Sequence, residues 1–306
     1  MRTAFINKLT ELAEKDRRIM LLVGDLGFGV VVDFAKRLPD QFINIGVAEQ
    51  NMAGVATGLA LAGKIVFTYS IANFPIIRCL EQIRNDACYH RANVIAVSVG
   101  AGVAYGSLGM THQALEDIAI MRSLPHLSLI APGDPIETSE AVGYLAQGRG
   151  PAYLRLGRAG EPVVHKKVIG WQFGRAIEVL PGNDLTLIAT GTMLQTAVNI
   201  AEKFQAGSGT QARVLSMHTV KPIDKEAIYK AAAETGRIVT LEEHSIVGGL
   251  GSAVAEVLAE SGINARFLRI GFPSVFVSEV GNQDYIKKCY GLDVDSIVRR
   301  LEGWLP

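Results

Sequence analysis

An excess of charge of either sign is missing from this chain. Its 306 residues carry 30 Lys and Arg against 30 Asp and Glu. No basic field is therefore available to nucleic acid or to an acidic membrane surface. Cysteine is scarce: Cys79, Cys88 and Cys289 are odd in number and spaced unlike metal ligands. They read as buried or incidental thiols of a reducing compartment, not as a disulfide framework. Uninterrupted apolar runs near the roughly twenty residues of a membrane span are absent. The N-terminus is an amphipathic helix containing acids and lacks the apolar core of a signal peptide. Short repeats, low-complexity tracts and long charge runs are missing too. Together these absences predict a cytoplasmic protein with no nucleic-acid and no membrane partner. Nucleotide-loop signatures are incomplete as well. Gly248-Gly249-Leu250-Gly251-Ser252-Ala253-Val254 ends in Val where a dinucleotide fingerprint needs its last Gly, and no Walker A pattern occurs. That segment reads as a tight turn into a helix.

What is present is apolar residue, 49% of the chain against 20% charged, enough for a sizeable core. The length suits two domains of about 150 residues each. Buried-strand patterns at Ile19–Val23, Ile65–Tyr69, Val94–Val99 and Leu127–Ile130 alternate with helical ones at Ala53–Ala62, Ile76–Tyr89 and Pro135–Gln147. Such βαβ spacing predicts an α/β fold with mainly parallel sheets covered on both faces. The first domain is expected to span residues 1–160. A crossover, 161–183, opens at Pro162 and the Lys166-Lys167 pair and closes with Pro181-Gly182-Asn183. A second α/β pattern fills residues 184–306.

Four places could carry chemistry. In Ile45-Gly46-Val47-Ala48-Glu49-Gln50-Asn51-Met52, a carboxylate stands between an apolar strand and a helix of small residues. A poorly hydrated Glu49 is costly as an ion unless it is paired or shares its proton, although a Glu also simply suits a helix N-terminus. Gly24-Asp25-Leu26-Gly27-Phe28-Gly29 follows a strand, where open α/β sheets bind ligands; Asp25 alternatively just starts a turn. The long loop from Gly100 to Gln113 follows another strand and leads through His112 into a helix beginning at Gln113-Ala114-Leu115. His112 can equally be a surface or capping residue. Arg155 and Arg158 end the strand Ala152–Leu156, and read either as surface salt-bridge partners or as a phosphate or carboxylate clamp.

Taken in order, these pieces resemble the C-terminal half of transketolase. Gly24-Asp25-Leu26, Gly46-Val47-Ala48-Glu49, Glu81-Gln82-Ile83-Arg84-Asn85-Asp86, Thr111-His112-Gln113-Ala114-Leu115-Glu116-Asp117 and Leu156-Gly157-Arg158 fall at family-like spacing, over essentially the whole chain. Glu242-Glu243-His244 and Gly248-Gly249-Leu250-Gly251 resemble marks of that family's C-terminal domain. The resemblance implies that residues 1–160 bind the pyrimidine of thiamine diphosphate and that residues from about 184 form the transketolase C-terminal domain. It implies that Glu49 shares a proton with pyrimidine N1′, promoting removal of the cofactor's C2 proton. It implies further that Phe74 stacks under the pyrimidine, its alternative being ordinary core packing, with Arg78, Asp25 and Leu26 near the cofactor. His112 would face the substrate carbonyl and Arg158 would hold a sugar phosphate.

The family's diphosphate-binding domain is missing here. Gly24-Asp25-Leu26 and Gly133-Asp134-Pro135 lack the third Gly of its Gly-Asp-Gly motif, and no Asn lies at the right spacing. No metal ligands are expected on this chain. The resemblance thus implies a split enzyme whose N-terminal subunit supplies the Mg²⁺ and diphosphate site, the pair assembling as α2β2. Departures from the family fall at substrate-facing positions. Leu108 replaces a donor-binding Asp, Gly100 replaces a His, and Gly27-Phe28-Gly29 replaces a Ser-containing loop. The sequence leaves open a transketolase acting on sugars, another thiamine diphosphate enzyme's β-type subunit (2-oxoacid dehydrogenase or deoxyxylulose-phosphate synthase-like), and a non-catalytic subunit.

Overall fold

The computed structural model describes residues 1–27 and 29–305; Phe28 of the expected Gly27–Gly29 loop and Pro306 lie outside the described residues. In the first half, β1 (Ile19–Val23), β2 (Phe42–Asn44), β3 (Ile65–Ile71), β4 (Val94–Val99), β5 (Ser128–Ile130) and β6 (Ala152–Leu156) form a parallel sheet in the order β5-β6-β4-β3-β1-β2. All five residues of β1 are buried, and they alternate between two cores. Ile19, Leu21 and Val23 meet Phe5 and Leu9 of the N-terminal helix Arg2–Ala13. Met20 and Leu22 meet Met52, Ala56 and Ala60 of the helix Glu49–Leu61. This is the period-2 signature of a strand covered on both faces, and it explains why the strand reads as a continuous apolar run.

In the second half, β7 (Ile177–Leu180), β8 (Leu185–Ala189), β9 (Ala212–Ser216), β10 (Thr219–Lys221), β11 (Arg237–Ser245) and β12 (Arg266–Phe272) follow in chain order. Five of them form a second sheet, β12-β11-β8-β9-β7, with only β7 antiparallel. Strand β10 instead pairs antiparallel with β5, Thr219 opposite Ile130, and so extends the first sheet. A segment of the second half thereby closes an edge of the first that would otherwise stand unpaired.

Part of the stretch read as a crossover is itself structure. Residues 177–180 are β7, and Trp171 and Phe173 pack against the first core beside Tyr144, Phe173 stacking on its ring at 4.5 Å. The helix expected over Ile76–Tyr89 is also different. Turns run to Cys79, a short α-helical turn covers Leu80–Gln82, and a π-helix covers Ile83–Cys88. Pro75 removes a donor from the first turn, and the wide turn lets the consecutive Ala87 and Cys88 both face inward. Among the described residues no helix is long and apolar enough to cross a membrane.

Candidate active site

Glu49 opens its helix just beyond the end of β2, after a turn in which Gly46 takes φ +76°. Only glycine adopts that backbone cheaply. The small residues Ala53, Ala56, Thr57 and Ala60 let the helix lie close on the sheet and carry Glu49 into it. The carboxylate is 1% exposed. Its Oε1 accepts from Ser70 Oγ at 3.2 Å, and its Oε2 accepts from the Arg78 guanidinium at 2.6 Å. The charge expected to be costly is therefore paired, by an arginine whose side chain is 45% exposed. Arg78 lies 4.5 Å over the Phe74 ring, and Phe74 meets the His112 ring edge-on at 5.2 Å. Four of the residues singled out in the sequence thus form one contiguous line, Glu49–Arg78–Phe74–His112. Arg78 covers one face of Phe74. Cys79 beside them has its thiol pushed up to about 12 by burial, with Glu49 adding to it, which marks it as unreactive.

Asp25 stands apart from that line. It follows Gly24, where a Cβ would sit 3.5 Å from the Glu49 side chain. Asp25 takes the left-handed φ +56° and is held by Asn44, which accepts from its N–H at 3.1 Å and donates to its carboxylate at 3.0 Å. Leu26 lines a shallow cavity of about 320 Å³ with Val31 and Phe42.

The loop Gly100–Gln113 is pinched at its base. Gly102 and Ala114 exchange two backbone hydrogen bonds, of 3.2 and 2.8 Å. This bridge keeps Gln113 and Ala114 extended, so the helix expected from Gln113 begins only at Asp117, and His112 ends a 3₁₀ turn. Gly100 takes φ +97°, and a Cβ there would overlap the Tyr105 ring. The space belonging to a side chain at position 100 is filled by Tyr105, over whose ring the Arg158 guanidinium sits at 5.4 Å. Leu108 is 55% exposed, so it is not a core residue. Arg158 and Ser107 line a cleft of about 750 Å³ between the two halves, facing Thr192, Gln195, Gln283 and Lys287.

Arg155 is neither a surface residue nor a clamp. It is 2% exposed and paired with Asp117, Nε to Oδ2 at 2.6 Å, and it also donates to the carbonyls of Ala114 and Glu243. Burial raises Asp117, but Arg155 and His244 outweigh it and hold the carboxyl below its ordinary value. His244 is lowered to about 4 by burial. Glu242 accepts from the N–H groups of Leu250 and Gly251 at 2.7 and 2.9 Å, and burial raises it to about 7. The helix N-terminus after Gly248-Gly249 is thus occupied by a carboxylate of the chain itself, which is why that glycine loop is a turn and not a phosphate site. Sequence reasoning missed Ser70, Tyr105 and the polar partners Thr192 and Gln283. Ser70 had one signal, a hydroxyl interrupting an apolar strand near its C-terminal end.

Tested against thiamine diphosphate, the residues fit the pyrimidine end. Among the described residues each Glu49 oxygen takes one hydrogen bond, and a carboxylate oxygen can accept two. Each oxygen therefore keeps an accepting position for a ring N–H. Among the described residues no group of three or more His, Cys, Asp and Glu could hold a metal.

The fold and this site define a two-domain α/β chain that offers a buried, paired carboxylate at the C-terminal edge of a parallel sheet. Residues 1–161 match the transketolase pyrimidine binding domain, and residues 174–297 match the transketolase C-terminal domain. The chain is 43% identical over 305 residues to one of the subunits of the apulose-4-phosphate transketolase of Phocaeicola vulgatus, covering 97% of this chain and 95% of that one. It is 41% identical over 304 residues to a putative transketolase C-terminal section of Methanocaldococcus jannaschii, covering 98% and 95%. A solved split-gene transketolase, an inactive beta4 tetramer, superposes with a TM-score of 0.90 at 39% identity, covering 99% of this chain and 97% of that one. The chain belongs to the transketolase family.

Proposed function

We propose that this chain is the C-terminal subunit of a split, thiamine diphosphate-dependent transketolase that moves a two-carbon ketol unit between sugars, most naturally sugar phosphates. The observation that carries the reading is the line from buried Glu49 through Arg78 and Phe74 to His112. When bound, thiamine diphosphate supplies an acidic carbon that takes up the ketol fragment. Glu49 holds a proton at the pyrimidine ring nitrogen, Ser70 and Arg78 fix its two oxygens, and Phe74 flanks the ring. His112 hydrogen-bonds the substrate carbonyl, and Arg158 binds a phosphate at the cleft. Asp25 and Leu26 frame the cofactor side, while Leu108 and Gly100 shape substrate choice. A partner of the N-terminal transketolase type supplies Mg²⁺ and the diphosphate site, in a cytoplasmic α2β2 assembly. Partner dependence is supported by a relative that is one subunit of a transketolase and by another that is an inactive beta4 tetramer. The apulose-4-phosphate in the name of the first supports a phosphorylated sugar.

The test is Glu49→Gln in the reconstituted complex. An amide keeps the shape but cannot share the proton, and such acid–base help is typically worth about 10²–10⁴-fold. Hydrogen–deuterium exchange at cofactor C2 should slow by a comparable factor while the fold survives. Unchanged exchange would refute the role of Glu49, and robust turnover by this chain alone would refute partner dependence. A donor panel of hydroxypyruvate, pyruvate and ketose phosphates separates ketol transfer from the chemistry of related carboligases.

A further inference from the structure

The polar residues at the end of β11 are not spent on the Glu49 line, and they reach across the domain boundary. Glu243 is 1% exposed. Its Oε1 accepts from the backbone N–H of Val103 at 2.8 Å, in the first half. Its Oε2 accepts from Thr192 Oγ1 at 2.7 Å, and Gln283 Nε2 donates to both oxygens at 2.8 Å. Val103 lies one residue from Gly102, half of the bridge that closes the loop bearing Leu108 and His112. A Cβ on Gly102 would overlap the Glu243 side chain, so the backbone is seated directly on the carboxylate. The other half of that base is held from the same strand: Ser245 N–H donates to Leu115 O at 2.9 Å. Charge-assisted bonds of this kind are the stronger ones, and in a dry setting they fix geometry.

We infer that Glu243 is a positioning residue: from the second domain it sets the seat of the loop 100–113, and with it the placement of His112 toward substrate, while leaving the bonds of Glu49 to Ser70 and Arg78 untouched. The inference rests on the transketolase reading above. It gives the second domain a part in sugar recognition although none of its residues belongs to the Glu49 line.

The prediction is a split between two partial reactions. In the reconstituted two-subunit complex, Glu243→Gln should lower kcat/KM for ketol transfer on the order of 10–100-fold, the scale at which a small misplacement of a reacting group acts. Exchange of the cofactor C2 proton should stay within about twofold, since only Glu49 and its first-domain partners are asked to supply it. Thr192→Val, which removes one donor to Glu243 and leaves the Val103 bond, should show the same split more weakly, and Thr192→Ser should restore transfer. If Glu243→Gln fails to fold, the Thr192 pair decides. Parallel loss of transfer and exchange together with a fall in melting temperature would make Glu243 merely structural and overturn the inference, as would unchanged transfer in both variants. Absence of exchange and transfer in the unsubstituted complex would instead refute the functional reading itself, a result visible before any variant is made.

Discussion

Position 100 offers the sharpest test of the substrate side proposed for the loop 100–113. Gly100 has φ +97°, and Tyr105 occupies the volume its Cβ would need. Gly100→Ala therefore meets two costs. Holding a non-glycine residue in that backbone region costs on the order of 1–3 kcal/mol. Forcing a methyl against the ring costs about another 1–3 kcal/mol unless Tyr105 moves. If Tyr105 swings out, Arg158 loses its cation–π contact, worth about 0.5–1 kcal/mol at a half-exposed site. Only the backbone part is intrinsic to position 100; the rest belongs to the pair. Tyr105→Ala should consequently relieve Gly100→Ala, and a double-mutant cycle in melting experiments should give a favourable coupling of about 1–3 kcal/mol. The kinetic counterpart is the handling of phosphorylated against unphosphorylated acceptors, since displacing Tyr105 frees the Arg158 guanidinium. Preference for phosphate should shift in both single variants in the same direction. Strict additivity of the two substitutions, with no change in phosphate preference, would refute the view that Tyr105 takes the place of a side chain at position 100.

Leu108→Asp should leave the melting temperature nearly unchanged, within the roughly ±0.5 kcal/mol usual for exposed sites, while raising turnover of ordinary phosphorylated ketoses relative to the native substrate; an unshifted substrate preference in kinetic assays would show that Leu108 does not face the donor. The buried pair Glu242 and His244 makes opposite contributions to pH dependence. The unfolded chain binds a proton at His244 below about 6.5 and the folded chain only near 4, so acidification through that window favours unfolding by up to about 1.4 kcal/mol per pH unit. Folded Glu242 keeps its proton up to about 7 against 4.5 unfolded, so raising the pH through that window favours unfolding. The slopes oppose each other between pH 4.5 and 6.5, so Glu242→Gln should melt at increasingly lower temperature than the parent on going from pH 6.5 to 5, in excess of any constant offset; parallel profiles would contradict this.

The strands of the first domain were legible because both of their faces are apolar: Ile19–Val23 and Val94–Val99 coincide with the elements observed. The line of Glu49, Phe74 and His112 was legible only through resemblance, since no periodicity connects residues so far apart in the chain. Arg155 misled for a physical reason. A strand-terminal arginine looks like a surface residue unless its counter-charge is known, and Asp117 lies 38 residues upstream on another element. The extended run at Gln113 and Ala114 was hidden in the same way, because its partner Gly102 is supplied by loop closure and not by local propensity. Strand β10 was invisible because Thr219-Val220-Lys221 holds a single apolar residue; its existence depends on an open edge at β5.

The groups around Glu49 and those that seat the loop 100–113 come from different parts of the chain. Among the described residues the groups that fix Glu49 come from the first domain: Ser70 from β3, Arg78 from the turns that follow it, and the close backbone of Gly24 from the end of β1. The loop carrying Gly100, Leu108 and His112 is instead seated on Glu243 and Ser245 of β11. The two sets touch where Phe74 meets His112, and where Asn73 Nδ2 donates to Gln113 O. Substitutions within the loop, such as the Leu at 108 and the Gly at 100, therefore leave the oxygen partners of Glu49 in place. On the proposed roles, a change of substrate can accumulate there at no cost to cofactor activation, because the groups that would bear that cost lie on different elements.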